Sequence, residues 1–168
     1  IWILVHQELI HEMDYWRSVP GMGIAFGAIL GTTMAANVWM VIWPAQKVAI
    51  GSSVKVSEGG EADPEAPPAA KRAARASRIN TLFSIPLIFF MMWPSHFGGN
   101  FDSPAGGTRA VLWIVFAVIW LAMELSALGR LGGYDNRINK MVLDKHQDTI
   151  KWGFAITLVL YLLFEILV

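Results

Sequence analysis

Residues 21 to 43, GMGIAFGAILGTTMAANVWMVIW, form a run without a single charged side chain. At about 1.5 Å of rise per residue, a helix of this length reaches across a hydrocarbon core of roughly 30 Å. Lipid offers no partner for an open backbone N–H or C=O, so the helix is the conformation such a run must take. Within it Gly23, Gly27, Gly31 and Ala35 recur every four residues and share one helical face, nearly free of side chains, where another helix can approach closely. Asn37 is a polar group inside the apolar run, and Trp39, Trp43 and Pro44 read as interfacial anchors followed by a helix stop.

Three more apolar segments follow, and the spans are expected at about 21–43, 79–97, 110–129 and 149–168. The second is read as the end of one helix beginning near Lys71 and kinked by Pro86. Residues 1–20 are too short and too acidic to cross a bilayer and are expected to lie outside as an interfacial helix, with Ser18, Pro20 and Gly21 breaking it from the first span. Ile1 opens inside one apolar stretch and Val168 closes in another, with no cleavable signal peptide expected. Residues 45–77, with SEGGEADPEAPPAA at their centre, are too polar and too rich in Pro and Gly to bury much surface, and are read as a mobile cytoplasmic loop. The expected fold is thus an all-α integral membrane protein, with an interfacial segment at 1–20 and a four-helix membrane domain at 21–168.

Charge sets the topology. Of the 13 Lys and Arg residues, all except Arg17 and Arg109 fall in 44–80 or 130–151, which the positive-inside rule places in the cytoplasm. A formal net charge of zero leaves no basic face for a phosphate backbone, so nucleic acid is not an expected partner. The chain has no cysteine, which excludes disulfides, thiolate metal sites and a covalently attached c-type haem. No cofactor is expected within the chain.

Two polar sets could carry chemistry. Asn37, Glu124, Thr81 and Ser84, with Asn80 at the edge, lie in the cytoplasmic third of the membrane. An intramembrane carboxylate is costly, by roughly 2.5–3.5 kcal/mol at the bilayer centre, so Glu124 requires a partner, a proton or water. It reads either as one wall of a ligand or proton pocket, or as an interhelical hydrogen bond to Asn37 or Arg130. The outer set comprises His96, Asp102, Arg109, Glu165, His6 and His11. His6 and His11 stand five apart, about 140° round a helix, which does not suit shared metal ligation, and no metal site is expected.

Two stretches carry a resemblance: GAILGTTMAANVWMVIWPAQKVAIG at 27–51 and RAARASRINTLFSIPLIFFMMWPSHF at 72–97. Their pattern, GxxxGT running into NVWxxIWPxQK and later NTLxSIPxxFFM ending near a histidine, resembles the N-terminal membrane domain of bacterial membrane-anchored, cytochrome c-linked urate oxidases. Asn37, Gln46, Lys47, Asn80, Thr81 and His96 stand at motif positions. The resemblance implies a bacterial inner-membrane location and urate oxidation whose electrons a cytochrome c accepts, and the charge bias then puts residues 1–20 on the periplasmic side.

Two functions are compatible with these residues. One is an accessory or structural subunit of a larger electron-transfer complex, respiratory or photosynthetic, with lipid and other membrane subunits as partners. The other is a urate oxidase-like domain passing electrons to a separate c-type cytochrome, with Asn37, Glu124 and His96 as candidate catalytic residues. The sequence shows no motif-level catalytic constellation and no redox centre, which favours the subunit.

Overall fold

A computed structural model describes residues 13–96 and 104–167; the expected interfacial helix at 1–20, with His6 and His11, lies largely outside the described residues, as does Asp102. The elements are α1 (Met13–Arg17), α2 (Val19–Asn37), a π-helical turn (Val38–Ile42), α3 (Trp43–Ser57), α4 (Ala66–His96), α5 (Gly106–Ala127), α6 (Arg137–Val142) and α7 (His146–Leu167). Four helical stretches are long and apolar enough to cross a membrane: Val19–Ser57, Ala66–Pro94, Gly106–Ala127 and His146–Leu167. Among the described residues there is no strand. Ser18 starts α2 by accepting from Gly21 N–H, with Pro20 in the first turn, where its missing N–H costs nothing.

α4 is the centre of the bundle. α2 lies antiparallel against it: a Cβ added at Gly23 would stand 3.2 Å from the Trp93 ring, one at Gly27 would stand 2.8 Å from Met91 Cγ, and one at Gly31 would stand 3.1 Å from Leu87 Cδ1. Ala35, the fourth member of that stripe, is exposed. α7 packs on α4 at Gly153, where an added Cβ would meet Ile85 Cδ1 at 2.5 Å and Leu82 O at 3.1 Å. Leu82 O is the carbonyl that loses its helical donor because Pro86, four residues on, has no N–H. The helix stays unbroken through Pro86, and the freed carbonyl is covered by the residue whose backbone can come nearest. α5 is held off by rings: Phe26 stacks on Phe116 at 4.0 Å and meets Trp113 edge-on at 4.8 Å and Phe90 at 5.9 Å.

Two expectations are corrected. Pro44 does not stop the first helix: Trp43 N–H bonds to Val38 O, a five-residue step, and this wider turn takes up the proline so that the helix continues to Ser57. The segment read as a loop at 45–77 is therefore helical through Ser57 and again from Ala66. The two helices form a hairpin on small side chains, with Ala45, Ala69 and Ala73 buried together and flanked by Ile42 and Val48. Pro67 and Pro68, part of the segment read as a loop, sit in the first turn of α4, where backbone N–H groups have no intrahelical acceptor. Gly59 takes a positive φ of 85° at the turn, and Asp63 N–H bonds to Ser52 Oγ at 2.9 Å.

The basic run at 71–78 clamps the connection between α5 and α7. Lys71 Nζ meets Asp135 Oδ2 at 2.7 Å, Arg75 Nη2 meets Asp144 Oδ1 at 2.5 Å, and Arg78 donates to the carbonyls of Leu143 and Asp144. Buried Asn139 donates to Ser126 O at 2.7 Å and Tyr134 O at 3.0 Å, and buried Thr149 closes the segment on Val142 O at 2.8 Å. Both basic segments thus lie at the same end of the bundle.

Gly153→Val should lower thermal stability in mild detergent by about 1–3 kcal/mol, since the added carbons have no room. Gly51→Ala, at a site with nothing within 4 Å, should leave the unfolding midpoint unchanged or raise it. The hydrogen bond from Lys71, helped by the charges of Arg75 and Lys140, holds the Asp135 carboxyl below the ordinary aspartate range. A depressed folded-state value means that the interaction stabilises above the ordinary pKa and is lost as pH falls through the folded value. An NMR titration of Asp135 should therefore give a midpoint below about 3.9, returning toward it in Lys71→Ala.

Candidate functional site

Asn37 ends α2 at the mouth of the π-turn, Asn80 comes from α4 and Glu124 from the last turn of α5. Asn37 Nδ2 donates to Asn80 Oδ1 at 3.0 Å and to Glu124 Oε2 at 3.1 Å, and Asn80 Nδ2 donates to Met34 O at 3.0 Å. One carboxamide therefore ties three spanning helices together. Asn37 is 3% and Glu124 8% exposed, so the network is shielded from solvent, and each missing partner would leave a buried polar group open.

A second rung lies one turn away. Trp120 Nε1 donates to Thr33 Oγ1 at 3.1 Å, and Thr33 hands its own proton to Ile29 O at 2.8 Å. Thr33 and Asn37 are four apart, as are Trp120 and Glu124, and α2 runs parallel to α5, so the two pairs face each other at matching heights. Between the rungs and the surface is a cleft of about 510 Å³, lined by Thr32, Thr33, Asn37, Met40, Trp120 and Glu124 among others, with otherwise mostly apolar walls. It exists because α5 stands off from α2. Among the described residues Asn37 Oδ1 and Glu124 Oε1 accept no hydrogen bond, which leaves acceptors beside the cleft.

The structure joins Asn37 and Glu124 and sets His96 apart. His96 is the last residue of α4, about 24 Å of helix rise from Asn80. Its Nδ1 pairs with Met92 O at 3.0 Å in its own helix. Thr81 donates to Ser77 O and Ser84 to Thr81 O, each within α4. Arg109 caps its own helix through Pro104 O at 3.0 Å. The partner of Glu124 is Asn37, and Arg130 instead lines a neighbouring cavity. Among the described residues no three His, Asp or Glu side chains gather as metal ligands would. Thr33 and Trp120 escaped the sequence reading, although their four-residue spacing from Asn37 and Glu124 was the available signal.

A double-mutant cycle of Asn37→Ala and Glu124→Ala, read by unfolding in detergent, should give a coupling of about 0.6–1.7 kcal/mol, the range of interhelical hydrogen bonds in membranes. Additive effects would show that the bond contributes no coupling.

Residues 12–164 match the family model described as urate oxidase N-terminal. No curated protein and no solved structure matches the chain. The matched range takes in α2, α4 and α5 whole and α7 as far as Phe164, and with them every member of the Asn37–Asn80–Glu124 network. This membrane protein of four apolar helices belongs to the urate oxidase N-terminal family.

Proposed function

We propose that the chain is the membrane-embedded domain of a urate-oxidising system in the bacterial inner membrane and that a separate c-type cytochrome takes its electrons. The observation that carries this reading is the Asn37–Asn80–Glu124 network at the wall of the cleft. Asn37 Oδ1 and Glu124 Oε1 stand as open acceptors beside the cleft, which the N–H groups of a planar purine can meet. Trp120, at the same wall, offers an aromatic surface. Family membership supplies the reaction class.

Oxidation of urate with water as the oxygen source forms one C–O bond, releases two protons and sends two electrons to ferric haem. Glu124 Oε1 is open to accept one of those protons, while Asn37 holds the other carboxylate oxygen in place. The chain has no thiol to anchor a c-type haem, so in this reading the acceptor lies outside these residues. The basic end faces the cytoplasm, in line with the charge bias. The accessory-subunit reading rests on the lack of a catalytic constellation and of a redox centre; the three-helix network weakens the first ground, and a separate cytochrome would answer the second.

Native protein extracted with its lipids and mixed with a ferric c-type cytochrome should consume urate and reduce two haems for each urate lost. Glu124→Gln should retain its helical circular dichroism and lose at least about 100-fold in kcat, the usual scale of a positioned proton acceptor. Wild-type protein inert with ferric cytochrome, yet recovered in a stoichiometric membrane assembly, would return the accessory-subunit reading.

A further inference from the structure

The clamp formed by the basic run leaves one of its members out. Lys71, Arg75 and Arg78 all turn to the 134–145 segment and are satisfied there by Asp135, Asp144 and backbone carbonyls. Arg72 makes no ion pair or hydrogen bond among the described residues. It lines a separate cavity of about 430 Å³ with Arg130 and Tyr134, and Arg130 likewise has no acidic partner among the described residues. Arg72 and Arg130 come from different elements and line the same cavity, and like charges brought to one cavity repel each other. Such a pair is stabilised by an anion between them, and a concave wall concentrates that field.

This cavity adjoins the cleft, and Met40, Val41 and Leu128 line both. Its walls are built by features already described. The π-turn and Pro44 carry Met40, Val41 and Ala45 to one side, and the turn after α5 carries Arg130 and Tyr134 to the other. Gly129, with φ at 73°, lets that turn close, and an added Cβ there would lie 3.1 Å from the Tyr134 ring. The result is a basic vestibule at the charged end of the bundle, leading to the buried amide–carboxylate network.

We propose that Arg72, Arg130 and Tyr134 form a capture site for a planar organic anion and deliver it along Met40, Val41 and Leu128 to Asn37 and Glu124. Guanidinium groups suit this task, because they stay charged and present a flat fork that can bond to or stack on a conjugated anion. That the anion is urate rests on the proposed function; the capture of an anion rests on the two arginines and on the wall that their cavity shares with the cleft. The three residues are specificity and positioning groups and take no part in bond making.

The test is equilibrium dialysis of radiolabelled urate against the protein in phosphatidylcholine nanodiscs, with turnover measured in parallel. Arg72→Gln and Arg130→Gln should each weaken urate binding at least ten-fold and raise KM with little change in kcat. Arg72→Lys should recover part of the loss, and Arg137→Gln, outside the cavity, should bind as wild type does. Affinity should fall as salt rises. Unchanged affinity in both glutamine variants, or no urate binding by wild type, overturns the proposal. So does native mass spectrometry showing phosphatidylglycerol held through Arg72 and Arg130 and not displaced by urate, which would make the cavity a lipid headgroup site. Arginine-dependent binding without oxidation sinks the proposed function and leaves the capture site standing, whereas turnover with unchanged KM in both variants does the reverse.

Discussion

Lipid supplies no hydrogen bonds, so every polar group among these four helices must be answered from within the protein. The hydroxyls of Thr32, Thr33, Thr81 and Thr157 meet this demand locally, each donating to the carbonyl four residues back. Asn37 and Glu124 have no such local answer, and their solution joins three helices through one amide. The position of that amide depends on the π-turn that begins at the next residue, and the turn is the chain's way of passing Pro44 without ending the helix. Wider turns of this type recur at functional sites because they re-aim side chains that a regular helix would fix elsewhere.

The same economy explains where the cleft lies. Against α4 the backbones of α2 and α7 come close, since Gly27 and Gly153 present no side chain to hold them off. Against α2, α5 is kept at the distance that Phe26 and Phe116 require when stacked. One pair of helices is therefore sealed and the other stands open, with Trp120 and Glu124 along the opening. The tight contact brings Asn80 to Asn37, and the loose one leaves room beside them.

Much of this was legible in the sequence, and the exceptions share a cause. Span number, the common end of the two basic segments and the crowded face at Gly23, Gly27 and Gly31 follow from hydropathy, charge and spacing, which are local properties. Pro44 reads as a stop because its missing N–H usually ends a helix, and the composition around Pro67 and Pro68 reads as a loop; here the first is absorbed by a π-turn and the other two fall where no N–H is needed. The hairpin of α3 and α4 was hidden because alanine contact carries little hydrophobic signal. Gly153 went unnoticed for a different reason: its importance comes from Leu82 O and Ile85, far away in sequence. Nor could composition say that Lys71, Arg75 and Arg78 are used up by the 134–145 segment while Arg72 turns elsewhere. At the site, Asn37 and Glu124 stand out as polar groups in apolar runs, whereas His96 stands out as a histidine at a motif position and lies at the far end of α4.

The most direct check on the central claim is an electron cryo-microscopy structure of the protein in lipid nanodiscs with urate. The account predicts density for a planar ligand between α2 and α5, within hydrogen-bond reach of Asn37 and Glu124, with the Asn37–Asn80 bond retained. A cleft filled by a lipid chain or by another helix, with urate bound elsewhere or not at all, would contradict it.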